Sequence, residues 1–374
     1  MDGTDSQLHV AHLTSVHEAS DIRIFHKECR SLAAAGYQVS LVVANDRDEM
    51  RDGVQIVALG TASSRWSRMF VSPLKVLWKA LQLRADVYQF HDPELIPIGM
   101  LLRIMGKRVV YDVHEDVPLD LLQKDYLPRR YAVPLSKAMA MLQYMADRVL
   151  SGIVVVTPGV AAPFRHPVMI RNFPLLEEFE EPGPAYQGRP QASVYIGALA
   201  PLRGTKEMAA AAAIAGQVGD RHLVLAGLMR DDPELQAQLD RDGDTGPVRY
   251  VGVLDRPGVR QLLDSSRMGL FISLPENLNL YTAYPNKVFE YMAAGLPVVV
   301  SDFPVLQEIV GGAECGLLVD PTDPEAIAEA MAWLFDHPDE AEEMGERGRK
   351  AVFEKYNFAG EAAELDRFYR RLCR

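Results

Sequence analysis

Short, uninterrupted apolar runs of strand length alternate with helical patterns along almost the whole chain, and few folds accept that alternation. Residues 8–13, 39–44, 87–90, 108–112 and 153–157 read as strands, with helical patterns at 25–35, 93–105 and 134–149. Gly36 stops the first helix. A strand that is apolar on both sides must be covered on both faces, which a parallel sheet flanked by helices achieves. The pattern breaks at 176–191, rich in Pro, Gly and Glu and without apolar period, and reads there as a linker. A second series follows, with strands at 193–196, 223–226, 248–251, 268–272, 297–301 and 316–319. Its helices fall at 206–215, 258–264, 286–294 and 324–335, and a charged amphipathic region begins near Asp339. The expected fold is α/β, with two doubly wound, Rossmann-like domains facing a central cleft. The expected bounds are 1–175, a linker at 176–191, 192–355, and a helix at 356–374 packing back on the first domain.

A length of 374 residues suits two such domains, and 48% hydrophobic with 24% charged residues is an ordinary globular composition. Cys29, Cys315 and Cys373 are too few and too scattered for a disulfide framework or a metal knuckle. No export signal and no apolar run of spanning length is seen, so a cytoplasmic location is expected, with association at the inner face of the membrane as an option. The net charge of −12 argues against nucleic acid as a partner. Residues 61–84 nevertheless hold five basic residues, Trp66, Phe70, Trp78 and no acid. That stretch suits peripheral contact with an anionic membrane, or a solvated helix whose aromatics face the core, which is the reading preferred here.

Residues 284–297 are the most suggestive stretch for chemistry. Pro285 stands where a helix begins and Gly295 where it stops, with Lys287 and Glu290 on one face of the first turns. A helix N-terminus with a lysine suits a phosphate, and a glutamate one turn in suits sugar hydroxyls. The alternative is a Lys–Glu surface pair. Arg203, Gly204 and Lys206 open another helix after a strand and fit either a diphosphate or an exposed turn. His91 and His114 each follow a predicted strand, as cleft residues or as hydrogen-bonded structural ones. They do not form HExxH and lie on different loops, which argues against zinc. No GxGxxG, GxxxxGK[ST] or GxSxG occurs.

Together, HLTSVHEASDIRIFHKECRSLAAAGYQVSLV, FHDPELIPIG, VVYDVHEDVP, YIGALAPLRG and YPNKVFEYMAAGLPVVVSDFP resemble the retaining GT-B glycosyltransferases of family 4, and the resemblance spans nearly the whole chain. It implies a sugar-nucleotide site in the second domain and an acceptor site in the first. Glu290 matches the glutamate that holds the ribose hydroxyls, and Arg203 the cation on the diphosphate. Asn286 and Lys287 lie beneath the phosphates. His114 matches the catalytic histidine near the transferred sugar. Possible sugar or acceptor contacts are His91, Glu276, Thr282, Ser15 and Arg23. Three positions depart from the family pattern: residues 14–20 have no glycine, Ala198 follows the YIG strand, and Thr282 stands where the first acid of the usual pair falls. Glu276 is the one acid in that loop.

The resemblance implies a metal-independent, retaining hexosyltransferase without cofactor, in glycan or glycoconjugate biosynthesis of bacterial type. Its donor is expected to be a UDP- or GDP-sugar, and its acceptor a saccharide, a lipid-linked saccharide or a small molecule. The alternatives are a GT-B sugar-nucleotide epimerase or hydrolase and, from another class, a non-catalytic two-domain sugar-binding protein.

Overall fold

The computed structural model describes residues 7–60, 71–122, 127–230, 232–243, 246–276, 281 and 283–374. The chain divides into two units: the first runs to Asn172 and takes back Phe358–Arg374, and the second is Phe173–Asn357. The first unit holds β1 (His9–Glu18), β2 (Gln38–Ala44), β3 (Glu49–Arg51), β4 (Val54–Ala58), β5 (Val87–Phe90), β6 (Arg108–Val113), β7 (Gly152–Val155) and β8 (Val168–Met169). They form an eight-stranded sheet in the order β3-β4-β2-β1-β5-β6-β7-β8, parallel except for β3 against β4. The second unit holds β9 (Ala192–Ile196), β10 (His222–Ala226), β11 (Val248–Tyr250), β12 (Met268–Phe271), β13 (Val298–Ser301) and β14 (Gly316–Val319). This sheet is wholly parallel, in the order β11-β10-β9-β12-β13-β14. Strand order reverses between β1 and β5 and between β9 and β12, and ligands of such sheets bind beyond the strand ends at these points.

Alternation along the strands sorts the first unit into two layers. Leu13, Tyr88, Phe90, Tyr111 and Val155 join one core with Val76, Ile96 and Ala146 from the helices Ser72–Leu83, Ile96–Ile104 and Arg129–Val149. The intervening residues His12, Gln89 and Asp112 meet the other layer. There His12 Nδ1 lies 3.8 Å from Glu28, Gln89 donates to Glu28 at 2.7 Å, and Tyr369 OH donates to Gln89 at 2.5 Å. The helix Phe358–Cys373 thus belongs to the first unit, with Phe368 seated where Gly152 has no side chain.

Three local outcomes differ from the sequence expectation. The first helix starts earlier, as a π-helix over Ile22–Cys29 capped by the Asp21 carboxylate, and continues as Arg30–Ala34. Its wide turns bring Arg23 and Glu28, five apart, within 3.0 Å on the inward side. Residues 176–191 do not stand free: Phe179 and Tyr186 are buried, and Tyr186 OH donates to the Arg267 carbonyl at 2.9 Å. Two aromatics are enough to anchor a stretch whose composition is otherwise polar. Of the stretch 61–84, residues 61–70 lie outside the described part, and Trp78 is exposed rather than turned to the core.

At the ends of β9 and β10 the backbones nearly touch. A Cβ on Gly227, whose φ is +140°, would sit 1.9 Å from the Gly197 carbonyl oxygen. Gly295 also has a positive φ, +71°, but a Cβ there meets nothing within 4 Å. Gly227→Ala is therefore expected to cost at least about 2 kcal/mol, from strain and collision together. Gly295→Ala should cost only about 1 kcal/mol, from conformation alone. Urea unfolding of both variants tests this, and equal losses would refute the close approach.

Candidate functional site

In the second unit, the site residues gather at the point where strand order reverses. Gly197 follows β9, and a Cβ there would lie 2.0 Å from Lys287 Cε, so the lysine side chain rests directly across that glycine. Lys287 Nζ is 5.4 Å from the Tyr195 ring centroid. Burial, then the charge of Arg203, push the Lys287 ammonium down to about 8, against the pull of Glu290. Two cations are thus crowded at the end of one strand. Among the described residues neither Arg203 nor Lys287 is in an ion pair, an arrangement that an anion would relieve.

Their supports are local. Gly204 is left-handed, with φ +64°, and a Cβ on it would come within 2.7 Å of the Ile272 carbonyl oxygen. This lets the loop carrying Arg203 lie on the end of β12. The helix Asn286–Ala293 starts after Pro285 and is fixed to β9 by Tyr291, whose hydroxyl accepts from Ile196 N–H at 2.9 Å. Asn286 is exposed at its first position. One turn on, Glu290 accepts from Arg256 Nη1 at 2.9 Å, and Arg256 also binds Glu178. The sequence reading missed Arg256, which no motif marked.

The structure brings together Arg203, Gly204, Lys287 and Glu290. Lys206 does not join them: it is exposed and pairs with Glu234 at 2.8 Å. Being three residues beyond Arg203 on a new helix turns it outward. Glu276 is exposed, and Thr282 lies outside the described residues.

In the first unit, the strand ends converge on Asp112. Its Oδ2 is 2.8 Å from His114 Nε2 and 3.1 Å from His91 Nδ1, and its Oδ1 accepts from Arg23 Nη2 at 2.9 Å. Arg23 also donates to the Ile170 carbonyl at 3.1 Å. His12 Nδ1 lies 3.0 Å from His91 Nε2, extending the chain inward. Burial would raise the Asp112 carboxyl, but Arg23 and the two histidines outweigh it and hold it well below its usual range. Glu28 moves the other way, pushed up by burial and by Asp112 against the pull of Arg23. Burial likewise lowers His91, although Asp112 opposes. An acid inside the strand RVVYDV was the signal for Asp112, and the sequence reading passed over it as a strand residue.

The separate loops of His91 and His114 do not keep them apart, which corrects the argument made against zinc. Their ring nitrogens are 3.3 Å apart, and with Asp112 they form a group able to hold a metal ion. Arg23 already neutralises that carboxylate, so a cation there would meet a buried guanidinium. Nearby, Asp92 fixes the first loop, accepting from Thr14 Oγ1 at 2.8 Å and from Ser15 N–H at 2.5 Å. Ser15 also lines a cavity of about 510 Å³ together with His17, Asn45 and Arg51. The His17 and His114 rings are 5.7 Å apart, and the Asp21 carboxylate raises the His17 imidazole by hydrogen bonding.

Residues 23–171 match the model of the family described as Glycosyltransferase Family 4, and residues 190–337 that of Glycosyl transferases group 1. The chain is 24% identical over 328 residues to an MMP alpha-(1->4)-mannosyltransferase of Mycolicibacterium hassiacum, covering 82% of this chain and 77% of that protein. It is 25% identical over 280 residues to the D-rhamnosyltransferase WbpZ of Pseudomonas aeruginosa, covering 72% and 69%. Its fold is similar to sucrose-phosphate synthase from Thermosynechococcus elongatus, with TM-score 0.74, 20% identity and coverage of 98% and 99%. It is also similar to Anabaena HepE solved in complex with UDP-glucose, with TM-score 0.72, 13% identity and coverage of 98% and 100%. With a family-4 module in its first unit and a group-1 module in its second, the chain belongs to the GT-B glycosyltransferases.

Proposed function

We propose that the chain transfers a hexosyl group, with retention and without a metal, from a UDP- or GDP-sugar to a saccharide or lipid-linked saccharide acceptor in glycan biosynthesis. The observation that carries this reading is Lys287, laid across Gly197 within reach of the charge of Arg203 and with Glu290 one helical turn away. The cations take the diphosphate, and their charge stabilises the leaving oxygen as the glycosidic bond breaks. Glu290 takes the ribose hydroxyls in exchange for Arg256. HepE, of similar fold, is described in complex with UDP-glucose, which supports a sugar nucleotide as donor.

The first unit supplies the acceptor side. The Asp112 carboxylate holds His114 by one ring nitrogen, leaving the other for a sugar hydroxyl. The cavity lined by Ser15, His17, Glu18, Asn45, Asp46 and Arg51 offers an acceptor both hydrogen-bond donors and acceptors. The acceptor hydroxyl attacks the anomeric carbon from the side the diphosphate leaves, and its proton passes to a leaving phosphate oxygen.

Arg203→Ala and Glu290→Ala should each lower kcat/KM by about 100-fold, while a thermal-shift panel of UDP-, GDP-, dTDP- and ADP-sugars identifies the base. Full activity in both variants would reject the assignment, and stabilisation by free sugars alone would favour a binding protein. Asp112→Asn should reduce kcat by at least about tenfold and leave UDP affinity unchanged, as judged on protein that remains folded by circular dichroism. A loss of UDP affinity instead would contradict the division of roles.

Lys287 gives a pH signature. Below pH about 8 both folded and unfolded chains carry its proton; between about 8 and 10.5 only the unfolded chain does. Its contribution to stability therefore rises with pH across that window. A bound diphosphate favours the charged form, so UDP binding should take up protons near pH 8 and weaken above it. Calorimetry in buffers of different ionisation enthalpy measures the uptake, which Lys287→Met should abolish. Uptake that survives this change would place the titration elsewhere.

A further inference from the structure

We propose that the outer face of the helices Ser72–Leu83, Ile96–Ile104 and Arg129–Val149 docks on a bilayer containing anionic phospholipids. The inner faces of all three feed one core on one side of the first sheet, so their outer faces point away from that sheet together. Those outer faces are apolar where a solvated helix would be polar. Leu74 and Trp78 on the first helix are 63% and 60% exposed, Ile104 on the second 76%, and Met141 on the third 59%. Leu101 and Ile104, like Leu74 and Trp78, follow helical spacing, so each pair forms a stripe rather than scattered points. Contiguous apolar surface of this kind marks an interaction site.

The charge around these stripes selects the occupant. The three helices carry seven Lys or Arg and one acid, Asp147, in a chain whose net charge is −12. Asp147 is itself mostly buried and paired with Arg165 at 2.8 Å. On the other layer of the same unit, the helix Phe358–Cys373 shows the ordinary pattern, with exposed Arg367 and Arg370 paired to Glu364 and Asp366. A second copy meeting this face symmetrically would set basic helices against basic helices, which is repulsive. An anionic lipid surface attracts the lysines and arginines while Trp, Leu and Ile enter the headgroup boundary. Among the described residues no helix is long and apolar enough to cross a membrane, so contact at the surface is what these helices offer.

The test is cosedimentation of the full chain with vesicles of phosphatidylcholine alone and of equal parts phosphatidylglycerol and phosphatidylcholine. Binding is expected to the anionic vesicles and to weaken with salt. Each lysine near the surface is worth about fivefold, so the Lys75→Gln, Lys79→Gln double variant should bind about 25-fold more weakly. Trp78→Ser and Ile104→Ser should also weaken binding, and Arg367→Gln on the other layer should not. No binding to anionic vesicles, equal binding to both vesicles, or an unchanged double variant would overturn the proposal. So would a concentration-dependent dimer that Ile104→Ser dissolves.

Discussion

Much of the first unit is arranged around one buried charge. Asp112 sits in a strand with no water to solvate it, and burying such a group costs several kcal/mol unless partners replace the water. Arg23 supplies the countercharge, but only because the helix carrying it opens into π-turns that aim it inward with Glu28. His91 and His114 fill the remaining acceptor positions, so their ring orientations follow from the carboxylate they share. Removing the charge would leave the buried guanidinium to Glu28 alone, whereas a second full negative charge is avoided by pushing the Glu28 carboxyl toward its neutral form. The same interaction therefore fixes a helix, two loops and the ring of His114.

The second unit achieves positioning by crowding rather than by pairing. Glycines end β9 and β10 so closely that side chains are excluded, and the space released at Gly197 is taken by Lys287. A lysine held there beside Arg203 loses part of its hold on the proton. The folded chain thus stores an unfavourable arrangement that an anion would reverse, a pattern common where binding groups are preorganised. Glu290 differs, since Arg256 already compensates its charge.

Most strands were legible because each is an unbroken apolar run bounded by turn residues, and several bounds agree to within a residue. The helix from Asn286 was legible because Pro285 and Gly295 punctuate it. What escaped depends on contacts far apart in sequence. The edge strand β3 and its neighbour β4 are short, with exposed Met50 and Gln55 interrupting the apolar run. The π-helix buries Arg23, Lys27 and Glu28, residue types that read as solvent-facing until Asp112 and Asn172 supply their partners. Lys206 stands close to Arg203 along the chain, but a helix start separates their directions. Hydrophobicity alone points Trp78 inward, whereas Val76 and Ala80 already fill the inner face. Spacing along one element predicted such positions well only when the surrounding layer was apolar throughout.

The electrostatics of the whole chain make the local arrangement more telling. A molecule of net charge −12 repels anions at a distance, yet both the diphosphate reading and the bilayer reading require it to attract them. Screening resolves this, because at physiological salt the field of remote charges fades within about 8 Å. Attraction must then come from cations placed against the ligand with few acids beside them. Arg203 and Lys287 meet that condition through glycine-permitted crowding, and the three outer helices meet it by nearly excluding acids from their sequence. Most of the negative charge lies after residue 185, so the basic helices of the first unit owe their character to where acids are missing as much as to where lysines stand.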